Sequence, residues 1–315
     1  MRSRTYISSK SGGGIEMAAE ADVTGEQSRT AESVFNVPGT FMQIPKLMRY
    51  QFSVYLQSRR FYAMIIIIAV IGALLSVVVA HFRPSFINNN LAFYGSLFAG
   101  AIPVVIVLAA VFFGGDAIAG EFQNKTGYFL MSVPIRRATI YVAKYIAAFL
   151  ASLSIMALYV VILLVNGVYY FGSNAFPWQL GLSFVLSVVY LAAVLGTTFL
   201  FSSLFKTSAY GFVMTVVLFL FGFSLLEELM SLLVKIEPWM VISYASGVMG
   251  DVFSANIHWG FTGIATTLTT RGPGGAIFRS TTYTPGVGEG VLIMIAYFII
   301  TAIVGLFRFE RQEFN

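Results

Sequence analysis

Six segments of the chain are long and apolar enough to cross a lipid bilayer, and none of them contains aspartate, glutamate, lysine or arginine. They are residues 61–80, 91–115, 145–171, 180–205, 209–226 and 290–307. A spanning helix needs about 20 apolar residues, because a rise of about 1.5 Å per residue must cover about 30 Å of hydrocarbon. Every backbone amide in lipid must also be paired within the protein. The sequence therefore predicts an all-α polytopic membrane protein with six transmembrane helices.

The composition supports this class and excludes a water-soluble globular fold. Of the 315 residues 57% are hydrophobic and only 10% are charged, and the mean hydropathy is +0.81. The chain has no cysteine and two histidines, so we expect no disulfide, no catalytic thiolate and no metal site. We also expect no catalytic residue on this chain.

The positions of lysine and arginine predict the orientation in the membrane, because cytoplasmic loops are enriched in these residues. With the N-terminus in the cytoplasm, four lie outside: Arg83, Lys235, Arg271 and Arg279. The other 15 lie inside: Arg2, Arg4, Lys10, Arg29, Lys46, Arg49, Arg59, Arg60, Lys125, Arg136, Arg137, Lys144, Lys206, Arg308 and Arg311. We therefore predict a multi-pass cell-membrane protein with both termini cytoplasmic. The net charge of +5 is explained by topology, and no nucleic-acid partner is predicted.

The chain before the first span divides into two parts. Residues 1–35 are rich in small and polar residues and predict a disordered cytoplasmic tail. Residues 36–60 carry apolar side chains at three- and four-residue spacing together with basic residues, which predicts an amphipathic interfacial helix on membrane lipid. A cytoplasmic helix packed on a partner is the alternative. No cleavable signal sequence is recognised, so the first span is expected to be an uncleaved anchor. Residues 61–315 form the predicted six-span domain.

The predicted loops outside the membrane differ in length, and the long one joins spans 5 and 6, residues 227–289. It begins with a helix-like sequence. Residues 238–264 are only moderately apolar and are predicted to be interfacial or re-entrant instead of a seventh span. Residues 269–290 are rich in Gly, Pro and Thr, which predicts turns or a short hairpin.

Acidic and basic residues cluster in only one ordered-looking segment, between the second and third spans. Residues 116–131 are predicted to form a helix parallel to the membrane, with Glu121 and Lys125 in the favourable order for a helical ion pair. Pro134 ends this element, and Arg136 and Arg137 begin the next. The alternative is a basic cytoplasmic loop without a partner.

The same segment resembles a motif of the transmembrane subunits of ABC-2 type transporters. The matching positions are Asp116, Glu121, Lys125, Thr126, Gly127, Leu130, Ser132, Pro134, Arg136 or Arg137, and Lys144. Residues 48–64 also resemble the amphipathic entry helix of that family, with Gln51 at the place of a usual glutamate.

The resemblance implies a permease subunit that exports a substrate with energy from a separate ABC ATPase subunit. Two six-span subunits, as a homodimer or heterodimer, would each seat a coupling helix, here residues 116–131, in an ATPase. The residues implied in coupling are Asp116, Glu121, Lys125, Thr126, Gly127, Pro134, Arg136 and Arg137. No cofactor is expected on this chain, and ATP and Mg belong to the partner. The stretch closest to a phosphate-binding loop, residues 120–126, has Asn124 where the second glycine is needed.

Several polar residues could form a path through the bundle: Asn166, Thr197, Thr198, Ser202, Ser203, Glu227 and Glu228. The alternatives are hydrogen bonds between helices for the first five and a solvated interfacial position for the two glutamates. Gly100 and Pro103 predict a kink in the second span.

The competing functions are an ion-gradient-driven secondary transporter or channel and, without any supporting motif, an enzyme or structural subunit. The 30 Phe and 16 Tyr favour an apolar or amphipathic cargo.

Overall fold

The computed structural model describes residues 40–82, 89–123, 136–205, 207–271 and 277–311. The chain divides into two compact units, Met1–Gln43 and Ile44–Asn315, and residues 40–43 are the described part of the first. Six helical runs can cross a membrane by length and composition, which confirms the all-α six-span fold. Spans 1 to 6 are Arg59–Phe82, Asn90–Glu121, Arg137–Ala175, Gln179–Leu204, Ser208–Val234 and Val287–Arg311.

Several spans contain more than one helical element. Helix α1 (Thr40–Gln57) precedes span 1, which is α2 (Arg59–Phe82). Span 2 comprises α3 (Asn90–Gly100), α4 (Ile102–Gly114) and the start of α5 (Ala119–Gln123). Span 3 is α6 (Arg137–Phe171) with a 3-10 turn (Gly172–Ala175), and span 4 is α7 (Gln179–Leu204). Span 5 contains α8 (Ser208–Val217) and α9 (Phe223–Leu229), each followed by a π-helical segment, Leu218–Gly222 and Met230–Val234.

The elements after span 5 are short until span 6. They are α10 (Ile242–Ser246), α11 (Val248–Asp251), β1 (Ile264–Arg271) and β2 (Ile277–Thr284), followed by span 6, which is α12 (Val287–Arg311). The strands pair antiparallel, from Ile264 opposite Thr284 to Arg271 opposite Ile277, as predicted for a short hairpin. The moderately apolar stretch 238–264 forms α10 and α11, which have five and four residues and cannot cross a membrane.

Two helices extend beyond the apolar segments read from hydropathy, because hydropathy falls where polar residues begin whereas a helix can continue through them. Span 3 starts at Arg137, eight residues before the predicted start at 145. Span 5 runs to Val234, so the first residues of the predicted loop 227–289 are helical. It ends where Lys235 adopts a left-handed conformation with φ of 55°. The predicted kink in span 2 is present as the break at Ala101, and Pro103 lies in the first turn of α4.

Spans 2 and 4 form the centre of the bundle. In their most apolar stretches 61% of the residues are buried, against 22%, 17% and 28% in spans 1, 5 and 6. Exposed apolar side chains on the outer spans, such as Ile66 and Ile303, suit contact with lipid. A close contact joins spans 2 and 3: the Tyr94 hydroxyl donates to the Ala175 carbonyl at 2.8 Å, and a Cβ at Gly167 would lie 1.7 Å from that hydroxyl. A side chain at position 167 would force the Tyr94 ring to move.

The six spans alternate in direction, which gives the bundle two different ends. The starts of spans 1, 3 and 5 meet the ends of spans 2, 4 and 6 at the end that we call the basic end, which carries Arg60, Lys144 and Arg308. We call the other the hairpin end, because it carries α10, α11 and the β-hairpin, and there α11 packs on α3 and α7.

Helix α1 is amphipathic within the described part of the chain. Half-buried side chains recur at Leu47, Phe52 and Tyr55, with exposed Arg49 and Tyr50 between them. Phe52 and Tyr55 pack against the core of the bundle. The helix spans Thr40–Gln57 where residues 36–60 were predicted, and the predicted tail, residues 1–35, lies outside the described residues.

Candidate functional site

The chain turns where span 2 ends, and the acidic residues of this turn and of the helix after it both form ion pairs at the basic end. Residues 115–118 form the turn and α5 follows it. The Arg60 guanidinium, at the start of span 1, donates to the Asp116 carboxylate. The Lys144 ammonium, near the start of span 3, donates to the Glu121 carboxylate. The segment 115–123 is therefore attached to two other spans through charged side chains.

The two ion pairs differ in their exposure to solvent. The side chains of Lys144 and Glu121 are 10% and 20% exposed, whereas those of Arg60 and Asp116 are 57% and 24% exposed. Lys144 also donates to the carbonyl of Ala117 at 2.8 Å. A buried ammonium must replace its water contacts with protein partners, and these two acceptors do so. The Lys144 pair is thus the more strongly desolvated attachment.

Neutral hydrogen bonds attach the segment to spans 4 and 5. The buried Ser202 hydroxyl accepts from the amides of Ile118 and Ala119, both at 3.1 Å. The side chain of Gln123 accepts from the Ser208 amide at 3.1 Å, where span 5 begins. Amides in the first turn of a helix have no partner within it, so these side chains supply their acceptors. The Ile118 and Ala119 amides are buried and would otherwise be unpaired.

Helix α1 reaches the same place through Tyr55. Its hydroxyl donates to the carbonyl of Phe113 at 3.1 Å, and the two rings are edge to face with centroids 5.6 Å apart. Burial raises the pKa of Tyr55 well above its ordinary value, and the negative charge of Asp116 raises it further. Tyr55 therefore remains a neutral hydrogen-bond donor to the end of span 2.

The structure places four of the eight predicted coupling residues. Asp116 and Glu121 lie in the segment just described. Arg136 caps the start of span 3, and Arg137 donates to the carbonyl of Glu310 at the end of span 6, at 3.2 Å. The other four lie outside the described residues: Lys125, Thr126, Gly127 and Pro134.

The predicted helix 116–131 needs correction in its described part, because residues 115–118 form a turn and the helix begins at Ala119. The turn lets Ser202 satisfy the first amides of α5. Sequence reasoning did not find the cations on spans 1 and 3 that pair with Asp116 and Glu121, because spacing along one helix reveals neighbours on that helix alone. The predicted pairing of Glu121 with Lys125 lies outside the described residues, and Arg60 was assigned to the lipid surface. One signal was available in the sequence: a carboxylate at the end of a span needs a cation, and that cation can come from another span.

A cavity of about 350 Å³ lies at the break in span 2, between that span, spans 4 and 5, and α10. Pro103, Phe219 and other apolar side chains line one part of it, and Tyr190, Ser243 and Glu227 line another. The half-buried Glu227 carboxylate accepts from the Ser243 hydroxyl at 2.7 Å. Glu228 is exposed to solvent.

The other predicted polar-path residues do not gather around this cavity. Asn166, Thr197 and Thr198 each donate to the carbonyl four residues earlier in their own helix, at 2.8, 3.0 and 2.9 Å. Ser203 bonds the Leu200 carbonyl at 2.7 Å, and Ser202 belongs to the basic end. These hydroxyls and the amide are satisfied locally, which is a common arrangement in membrane helices. Of the predicted path residues, Glu227 is the one that lines the cavity.

A second acidic group, at the hairpin end, joins parts of the segment between spans 5 and 6. The Glu237 carboxylate accepts from the Tyr244 hydroxyl at 2.6 Å and from the Gly263 amide at 2.7 Å. Burial raises the pKa of Tyr244, and its hydrogen bond to Glu237 raises it further. Burial also raises the pKa of Asp251 to about 6.

Within the described ranges, no group of three or more His, Asp or Glu side chains is placed to hold a metal ion.

Comparison with known proteins identifies the family. No curated protein sequence matches the chain. The sequence model of the ABC-2 family transporter proteins matches residues 15–314, which is nearly the whole chain. The match agrees with the six spans and the polar segment after span 2. The chain is thus a multi-pass membrane protein and a permease of the ABC transporter class, and it belongs to the ABC-2 family of transporter proteins.

Proposed function

We propose that this permease exports a substrate across the cell membrane, driven by ATP and Mg on a separate ABC ATPase subunit. A second permease subunit, identical or different, completes the transporter, and membrane lipid surrounds it. The basic end faces the cytoplasm, because 15 of the 19 lysines and arginines belong to that side when both termini are inside. The ATPase binds at this end.

The observation that carries the proposal is the attachment of segment 115–123 to four other spans at the basic end. Glu121 and Asp116 are held by cations on spans 3 and 1. Ser202 and Gln123 attach the segment to spans 4 and 5. A force applied to the chain that follows this segment is therefore distributed over most of the bundle.

This arrangement suits the transmission of ATPase movement into the membrane. Gln123, at the end of α5, and Arg136, just before span 3, both lie at the basic end, and the chain between them connects spans 2 and 3. Arg137 extends the connection to span 6 through the Glu310 carbonyl. When the ATPase moves this connection, the hydrogen bonds and ion pairs carry the displacement into the spans, and a change in their packing opens the substrate path.

Orientation is tested with single cysteines, because the chain has none of its own. Ser53→Cys, on the exposed face of α1, and Ser173→Cys, exposed at the hairpin end, are equally conservative substitutions. In intact cells, a membrane-impermeant maleimide is expected to label Ser173→Cys and to leave Ser53→Cys unlabelled until the cells are opened. The opposite result would reverse the assignment of the basic end.

Coupling is tested in the complex with the partner ATPase, which is expected to co-purify with the chain. A Ser224→Cys label at the cavity should change its reaction rate several-fold between the nucleotide-free and the vanadate-trapped complex. Glu121→Gln should remove this difference while the complex still assembles and hydrolyses ATP. Ser173→Cys, exposed at the hairpin end and outside the lining of the cavity, is the control whose labelling should not respond.

Two results would contradict the proposal. An assembled, ATP-hydrolysing Glu121→Gln complex with an unchanged nucleotide response would overturn the role of segment 115–123. Transport that needs an ion gradient and no ATPase would replace the exporter with a secondary transporter.

A further inference from the structure

We infer that the cavity at the break in span 2 binds an organic cation with an apolar body, and that Glu227 is its charge partner. The inference rests on the proposed function, because it names the chemical class of cargo that the permease would carry. The volume of about 350 Å³ is within the usual range for small-molecule sites, which begins at roughly 300 Å³.

The charge around the cavity favours a positive ligand. Glu227 is half-buried, and Tyr190 on span 4 and Tyr244 on α10 face it, whereas the adjacent Glu228 is exposed to solvent and does not line the cavity. None of these side chains is of a basic type. The described residues form two ion pairs, Arg60–Asp116 and Lys144–Glu121, and neither includes Glu227. A carboxylate on a spanning helix without a protein cation is well placed to receive one from a ligand.

The walls of the cavity suit an apolar body next to the positive charge. Val104, Pro103 and Phe219 supply apolar surface, and Tyr190 adds an aromatic ring. Aromatic faces attract cations whose charge is spread over organic groups. The Ser243 hydroxyl donates to one oxygen of Glu227, at 2.7 Å, and so holds the carboxylate at the cavity wall. A hydrated metal ion would gain nothing from the apolar wall, whereas an amphipathic organic cation uses both parts.

The break in span 2 creates the space for this ligand. Gly100, the last residue of α3, lines the cavity, and a Cβ built on it meets nothing within 4 Å. A larger side chain there adds volume at the wall of the cavity and leaves the charge of Glu227 unchanged. The site can therefore be tested separately by its charge and by its volume.

The charge is tested with two probe ions of the same shape, tetraphenylphosphonium and tetraphenylborate, on the purified full-length chain. Glu227→Gln keeps the size of the side chain and an acceptor for Ser243. It should weaken binding of the phosphonium about tenfold, or about 1.4 kcal/mol, and should not weaken binding of the borate. Glu228→Gln removes the exposed neighbouring charge and is the matched control, expected to bind both ions as the unaltered chain does.

The volume is tested with Gly100→Leu, which should abolish phosphonium binding although Glu227 is intact. Gly181→Leu is its control, because Gly181 also has open space around it and does not line the cavity. Unchanged phosphonium affinity in Glu227→Gln, or an equal loss in Glu228→Gln, would overturn the inference. So would normal binding in Gly100→Leu.

Failure of this inference can be distinguished from failure of the proposed function. Ion binding is measured on the chain alone, whereas coupling is measured by the response of Ser224→Cys in the complex with the ATPase. If the complex responds to nucleotide but its cavity does not bind the phosphonium, the result contradicts only the proposed class of cargo. A chain that binds the phosphonium through Glu227 but shows no nucleotide response supports the site and contradicts the ATPase-driven export.

Discussion

The two ion pairs at the basic end should differ in strength, although both join a carboxylate of segment 115–123 to a cation at the start of a span. We expect the interaction between Glu121 and Lys144 to contribute more to folding than that between Arg60 and Asp116. The test is a double-mutant cycle at each pair, with Glu121→Gln and Lys144→Met in one, and Asp116→Asn and Arg60→Met in the other.

Burial sets the expected magnitudes. Removing one partner of a fully buried pair costs about 3–5 kcal/mol, because the other charge is left without compensation. The Lys144 side chain is only 10% exposed but keeps the Ala117 carbonyl, so Glu121→Gln should cost about 2–3 kcal/mol. Lys144→Met should cost less, because Glu121 is 20% exposed and can recover water. The Arg60 side chain is 57% exposed, and a pair of that kind contributes about 0.2–1 kcal/mol.

The free energy of unfolding can be measured for each variant in mixed micelles with increasing SDS. The coupling energy should be about 2 kcal/mol for Glu121 with Lys144 and about 0.5 kcal/mol for Arg60 with Asp116. Added salt should reduce only the second value, since exposed charges are screened. A coupling energy at the Lys144 pair no larger than at the Arg60 pair would refute the reasoning from burial.

Three further predictions concern single side chains. Ser202→Ala should cost about 1–3 kcal/mol, because two buried amides lose their acceptor, and hydrogen exchange at Ile118 should become faster, whereas unchanged exchange would contradict this. Tyr94→Phe should lower the free energy of unfolding by about 1 kcal/mol through loss of its bond to Ala175, and an unchanged value would contradict this. Asp251 has a pKa of about 6, above the unfolded value of about 3.9, so stability should fall as pH rises from about 4 to 6. Asp251→Asn should remove this fall in a series of melting temperatures and stabilise the protein at pH 8 by at most about 3 kcal/mol, and a persisting fall would contradict the assignment.

The parts of the fold that were predictable are those set by local chemistry. The hydrocarbon core requires long apolar helices, so all six spans were found from hydropathy. The Gly, Pro and Thr content of residues 269–290 predicted turns or a short hairpin, and the structure has the paired strands β1 and β2. Arg136 and Arg137 were correctly placed at the start of span 3, because Pro134 disfavours a helix just before itself.

The parts that were not predictable depend on which spans are neighbours. The partner of Glu121 is 23 residues away and that of Asp116 is 56 residues away, so no helical spacing could identify them. Ser202 was recognised as polar, yet its use depends on the turn at residues 115–118 reaching the end of span 4. The cavity lies where the break at Ala101 is next to α10, which packs against the bundle, so predicting it requires both features.

The position of Glu227 shows how backbone geometry decides the use of a residue that composition leaves ambiguous. Two adjacent glutamates at a span end suggest a solvated pair, and Glu228 is indeed exposed. Helix α9, which carries both, lies between two π-helical segments, Leu218–Gly222 and Met230–Val234. Because a π-helical turn includes an extra residue, each such segment rotates the helix beyond it relative to a continuous α-helix, and such segments are frequent at functional sites. The first of them therefore sets which glutamate of span 5 faces span 4, and in this chain it directs Glu227 to Ser243 and the cavity and leaves Glu228 to the solvent.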